Sequence, residues 1–166
     1  MSGERQPVHS GGCQCGAVRY HLLAELSDAS LCHCRMCQKA FGNYFAPLAD
    51  VSLEDFVLTR GALSIFRSSA AVERGFCKDC GTPLSFRYVD EPKIAVALGS
   101  LDHPERVPPV KQYGLEGHLP FVPEFGLPGS RTDDSSTQTH LQQIASANHQ
   151  HPDHDTESWP PAGATR

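Results

Sequence analysis

The chain has 166 residues, 39% of them hydrophobic, and a formal net charge of −5, which suits one globular domain with room for a tail. With 14 basic against 19 acidic residues and no basic stretch, neither nucleic acid nor anionic lipid is an expected partner. The polar start MSGERQPVHSGG has no apolar run behind it, so no secretory signal or membrane span is expected, and the predicted location is the cytoplasm, which keeps thiols reduced.

The first feature along the chain is GGCQCG, with Cys13 and Cys15. On a flat strand, side chains two residues apart are about 7 Å apart, whereas sulfurs sharing a tetrahedral zinc ion are about 3.8 Å apart. The segment must bend, and Gly11, Gly12 and Gly16 permit it. AVRYHLL follows with Val18, Tyr20 and Leu22 on one face, the period of a strand. CHCRMC then brings Cys32, Cys34 and Cys37, and RMCQKAFG reads as the one short helix. NYFAPLADV, FVLTR, LSIFRS, PLSFRYV and KIAVALG alternate as further strands, with turns at Gly61, Gly81, Pro83, Pro92 and Gly99. CKDCG, with Cys77 and Cys80, reads as a second bent knuckle. The predicted fold is all-β, in one domain over residues 8–127.

Composition changes at Pro128. From there to Arg166 only Leu141, Ile144 and Trp159 are sizeable apolar residues, too few to offset the entropy of ordering the segment. Residues 128–166 are therefore expected to form a disordered polar tail, with at most a transient helix in THLQQIASANH. His140, His149, His151 and His154 lie in it and are read as solvated, because flexible spacing gives no preformed metal geometry.

Seven cysteines are an odd number, and a pair one residue apart closes a disulfide only with strain. Short-spaced thiolates instead suit zinc. Cys13 and Cys15 with Cys77 and Cys80 would make a closed, structural four-thiolate site. Cys32, Cys34 and Cys37 offer three thiolates and leave a fourth position open, which is what distinguishes catalytic from structural zinc. Spacing also allows Cys13 and Cys15 to join Cys32 and Cys34. His33 is flanked by two of these cysteines and is read as a supporting or packing residue. Arg19, Arg67, Arg74 and Lys78 are read as solvated charges, with the balancing of a zinc–thiolate centre as the rival reading. Tyr44 and Phe45 are read as core.

GGCQCGAVRY, LCHCRMCQKAFG, RGFCKDCGTPL, ALGSLDHPERVPP and YGLEGHLPFV resemble, in order and spacing, the glutathione-dependent formaldehyde-activating enzyme family, which includes centromere-protein-V relatives. The resemblance implies an Mss4-like (β-tent) fold. It implies two zinc ions, a structural one on Cys13, Cys15, Cys77 and Cys80 and a labile, catalytic one on Cys32, Cys34 and Cys37. It also implies a carbon–sulfur lyase activity, S-hydroxymethylglutathione synthase, which joins glutathione to formaldehyde. Gln38 stands where many members have arginine, and Phe121 where tryptophan is common. On this reading a substrate thiol occupies the open position and attacks an aldehyde carbon, with His33 or water carrying the proton. The alternative is a non-catalytic module that binds glutathione, another thiol or zinc. A scaffold would want a basic or proline-rich arm, which the short N-terminal stretch and acidic tail do not provide. The residues do not indicate an oligomeric state.

Overall fold

The computed structural model describes residues 5–122 and 151–160. Its strands are β1 (His9–Gly12), β2 (Arg19–Leu22), β3 (Ser27–Cys32), β4 (Ala46–Ser52), β5 (Phe56–Arg60), β6 (Ser64–Arg67), β7 (Val72–Phe76), β8 (Pro83–Tyr88), β9 (Lys93–Ala97) and β10 (Lys111–Tyr113), with helix α1 (Arg35–Phe41) after β3. β1, β2 and β5 form a three-stranded sheet, and the other seven form a second in the order β10-β3-β4-β9-β8-β7-β6. Every pairing is antiparallel except that of β10 with β3, where Tyr113 stands beside Cys32. The expected all-β, Mss4-like architecture is what the chain adopts.

The small sheet lies over the large one, and the core fills the space between them. Val18, Tyr20 and Leu22 supply one side and Ala49, Val51, Leu84, Ile94 and Val96 the other. Burying each such aliphatic side chain stabilises the fold by about 1.5–3 kcal/mol. Tyr20 is fully buried, and its hydroxyl lies 2.7 Å from Ser100 Oγ, which donates in turn to the Ala97 carbonyl at 2.7 Å. Gly11 lies under this pair, and a Cβ there would collide with the Tyr20 hydroxyl and the Ser100 carbonyl.

Six strands follow the alternation in the sequence. The other four do not announce themselves. β1 is HSGG and β10 is three residues, KQY, both formed by pairing with a neighbour. β3, SDASLC, has no alternation. In β7, VERGF, the buried position after Val72 on the same face is held by Arg74, so a charge conceals the period. α1 is too short to persist alone and is held by its caps. Cys34 Sγ accepts from the Cys37 amide at 3.4 Å, and Gly42 closes the other end in the left-handed region.

The tail expectation is corrected for residues 151–160, which pack against the domain. His151 is 3% exposed, its amide donates to the Gln14 carbonyl at 2.7 Å, and Trp159 Nε1 donates to the Cys15 carbonyl. Asp155 accepts from Arg19 at 3.0 Å and meets His21 at 2.6 Å. Arg60 donates to the Thr156 carbonyl. A few specific polar contacts and one indole hold a segment whose composition alone cannot form a core. The remaining residues of 128–166, with His140 and His149, lie outside the described residues.

Candidate functional site

Two knuckles face each other at the edge of the core. In the first, the Val18 amide donates to Cys13 Sγ at 3.2 Å, the Cys13 amide donates back to the Val18 carbonyl at 3.0 Å, and Gly16 takes φ 78°. In the second, the Gly81 amide donates to the Cys77 carbonyl at 2.8 Å and Gly81 takes φ 77°. The Gln14 amide, donating to Thr82 Oγ1 at 3.0 Å, ties one to the other. These turns bring the sulfurs of Cys13, Cys15, Cys77 and Cys80 within 4.8 Å of one another. Cys13 to Cys15 is 3.6 Å and Cys15 to Cys77 is 3.9 Å, close to the about 3.8 Å edge of a zinc tetrathiolate.

Burial pushes the Cys13 thiol up, offset only in part by the Val18 amide. Burial acts on Cys80 in the same sense, but the Thr82 hydroxyl and amide at its sulfur bring it down to about 6. A divalent cation resolves such a cluster by replacing the protons that burial favours. Residues 151–160 cross this cluster: the His151 ring lies where a side chain on Gly16 would project.

The second cluster is assembled where β3 passes into α1. Cys32 ends the strand, Cys34 caps the helix and Cys37 occupies its first turn, with the three sulfurs again within 4.8 Å. Cys37 is buried, and Cys32 and Cys34 are partly exposed. Burial opposes ionisation of Cys34, but the amides of Cys37 and Met36 at the helix start, together with the neighbouring thiols, hold its thiol below the ordinary range. Burial pushes Cys32 up to about 12. Burial also raises Cys37, against the pull of Arg74, whose Nη2 donates to Cys37 Sγ at 3.5 Å. The two sets of sulfurs lie in separate clusters, so the alternative that mixed Cys13 and Cys15 with Cys32 and Cys34 is not the one the fold builds.

A cover lies over the second cluster. The His33 amide donates to the Tyr113 carbonyl at 2.8 Å, and Gln38 Nε2 donates to both the His33 and the Gly117 carbonyls at 2.9 Å. Gly114, at φ 64°, approaches so closely that a Cβ would stand 2.8 Å from the Cys34 nitrogen. Gln38 is thus a clasp between α1 and the cover, and Arg35 donates to its oxygen at 3.2 Å. His33 is fully buried, with Nε2 2.8 Å from Gln112 Oε1 and its ring 4.6 Å from that of His118. That matches a packing role.

Other readings change. Arg19 and Arg74 are buried, not solvated: Arg19 makes a two-pronged pair with Asp102 at 2.7 and 2.6 Å, and Arg74 is the cation beside a thiol. Arg67 and Lys78 are exposed as expected. Tyr44 is exposed, edge-on to Phe121 at 5.2 Å, whereas Phe45 packs against His33. Gly114, Gly117 and Gln112 were missed, with the glycine pair in YGLEG the one signal in the sequence; the place of Arg74 beside a thiol was the rival reading.

The fold and its sulfur clusters define a small β domain held by paired cysteine knuckles, with a three-thiol cluster beside it. The model of the glutathione-dependent formaldehyde-activating enzyme family matches residues 8–115, and the chain belongs to that family. An uncharacterized lyase of Schizosaccharomyces pombe is 31% identical over 84 residues, covering 51% of this chain and 61% of that protein. A Phaeosphaeria nodorum protein, provisionally named a glutathione-dependent formaldehyde-activating enzyme, is 31% identical over 81 residues, covering 48% and 43%. The chain therefore spans less than two thirds of the length of either relative. The crystal structure of a Rhodobacter sphaeroides protein superposes with a TM-score of 0.51 at 28% identity, covering 62% of this chain and 98% of that one.

Proposed function

We propose that this chain makes and breaks the carbon–sulfur bond between a glutathione-like thiol and a small aldehyde such as formaldehyde, at Cys32, Cys34 and Cys37 carrying a zinc ion. The asymmetry of the clusters carries the reading: four sulfurs, enough to close a tetrahedral site, against three, which leave one position open. Cys13, Cys15, Cys77 and Cys80 hold a structural zinc on the same reading, in a reduced, cytoplasmic setting. A zinc ion on three thiolates supplies a position at which a further thiol is held deprotonated near neutral pH.

The side chains around the cluster suit an anionic thiol. Arg74 offsets charge on Cys37. Arg35 and Lys39, on the exposed side of α1, border a cleft of about 500 Å³ with Tyr44 and Leu119, where two cations attract a thiol bearing carboxylates, as glutathione does. In the forward reaction a carbon–sulfur bond forms, the carbonyl π pair moves to oxygen, and the thiol proton ends on that oxygen. The reverse expels the thiol. The names of the relatives support this reaction class.

One observation favours a second reading, a module that binds a thiol or zinc without turnover. His33, the proton carrier nearest the cysteines in sequence, is buried and engaged by Gln112. Exchange NMR of glutathione with formaldehyde separates the two. The zinc-loaded protein is expected to accelerate exchange, and Cys34→Ser to abolish the acceleration with the circular dichroism unchanged, since serine also caps a helix well. Exchange at the spontaneous rate with wild-type protein would establish the binding module instead, and full activity in Cys34→Ser would remove the cluster from the mechanism.

A further inference from the structure

Beside α1, against β6, β7 and β8, lies a cavity of about 700 Å³, within the about 300–1,000 Å³ range of small-molecule sites. Hydrocarbon from Met36, Ala40, Phe41, Phe66, Phe76 and Pro83 forms much of its wall. Three other wall residues are cations, Arg35, Lys39 and Arg74, and no carboxylate among the described residues lines it, in a chain whose net charge is −5. Phe66 is 61% and Met36 54% exposed, so large apolar side chains face open space beside those charges.

Arg74 supplies an independent observation. The residue is 6% exposed, its Nε donates to Ser68 Oγ at 3.2 Å, its Nη2 to Cys37 Sγ, and its guanidinium lies 5.0 Å over the Phe86 ring. Its Nη1 is buried with no hydrogen-bond partner among the described residues. An unsatisfied buried donor is costly, and because Arg74 also lines the cavity, a rotation of its guanidinium would bring Nη1 to an acceptor held there. A neutral apolar ligand would leave three cations in the wall without a counter-charge, and an inorganic anion would leave the hydrocarbon without a partner.

We propose that this cavity binds an organic carboxylate with an aromatic body, the ring against Phe41, Phe66 and Phe76 and the carboxylate toward Arg35, Lys39 and Arg74. The site does not depend on turnover at the cysteines: it holds equally for an enzyme and for a binding module.

The chain has two methionines, Met1 and Met36, so labelling the methionine methyls with carbon-13 places one reporter in the cavity wall. Metal-loaded full-length protein is titrated with 4-biphenylacetate and, separately, with its neutral primary amide. The Met36 resonance should shift saturably with the acid, at least ten-fold more tightly than with the amide, and salt should weaken only the acid. Lys39→Glu and Ala40→Trp, both at exposed helix positions, should each weaken the acid at least ten-fold while their thermal melts stay near wild type; if one variant unfolds, the other decides. Equal affinity for acid and amide, no Met36 shift with the acid, or unchanged acid affinity in the folded variants would overturn the proposal.

Discussion

Asp102 and Arg19 place opposite charges where water hardly reaches, with side chains 4% and 3% exposed. Ser10 donates to the same carboxylate at 2.6 Å. Burial alone would raise the Asp102 carboxyl, but the guanidinium and the serine hydroxyl hold it below its ordinary 3.8. A depressed folded value means that the contribution to stability is fully present above the unfolded value and lost as pH falls through the folded one. Asp102→Asn leaves the guanidinium without its main counter-charge and should cost about 3–5 kcal/mol near neutral pH. That loss should shrink in acid, because the wild type then loses the same charge. Urea denaturation of both proteins at a series of pH values tests this, and a pH-independent difference would refute the linkage.

At the scale of elements, residues 151–160 act as a strap across the first knuckle. The strap contributes Trp159, the only tryptophan in the chain, whose indole donates to the Cys15 carbonyl. Truncation after residue 150 removes that bond, the His151 packing and the partly exposed Asp155 contacts, and should cost about 2–4 kcal/mol. Thermal melts measure the loss, and chelator should strip metal faster from the truncated chain; identical melts and stripping rates would show that the strap contributes nothing. Composition concealed this element because its hold depends on a buried histidine, an aspartate and one indole meeting complementary groups, not on an apolar face. Where a face does carry the information, it was readable: Val18, Tyr20 and Leu22 point inward as their period requires, and RMCQKAF is the helix. The three short-spaced cysteine groups were legible because sulfur spacing is a geometric constraint local to the chain; which groups share a site was not, since spacing also allowed Cys13 and Cys15 to join Cys32 and Cys34. The cover was not, since Gly114 reaches Cys34 only through a parallel pairing of β10 with β3, a long-range contact that no local pattern encodes.

For the whole molecule, the two clusters should part with metal in sequence. If both clusters hold zinc as proposed, mild chelation is expected to take the ion on Cys32, Cys34 and Cys37 first, because three protein sulfurs hold it there against four at the knuckles. Zinc per chain should fall from two to one with the circular dichroism intact, and the second ion should leave only with the fold. Simultaneous loss of both would refute the division. Synthesis imposes a different order. Cys32, Cys34 and Cys37 emerge almost together, whereas Cys15 and Cys77 are separated by 62 positions. On a growing chain the first-completed cluster stands bare, since neither Arg74 nor Gly114 has yet been added. If both clusters bind metal as proposed, metal met early would be captured there, and the knuckles would load only after Cys80 arrives. On that reading the ion acquired first during translation is the one the finished protein gives up first.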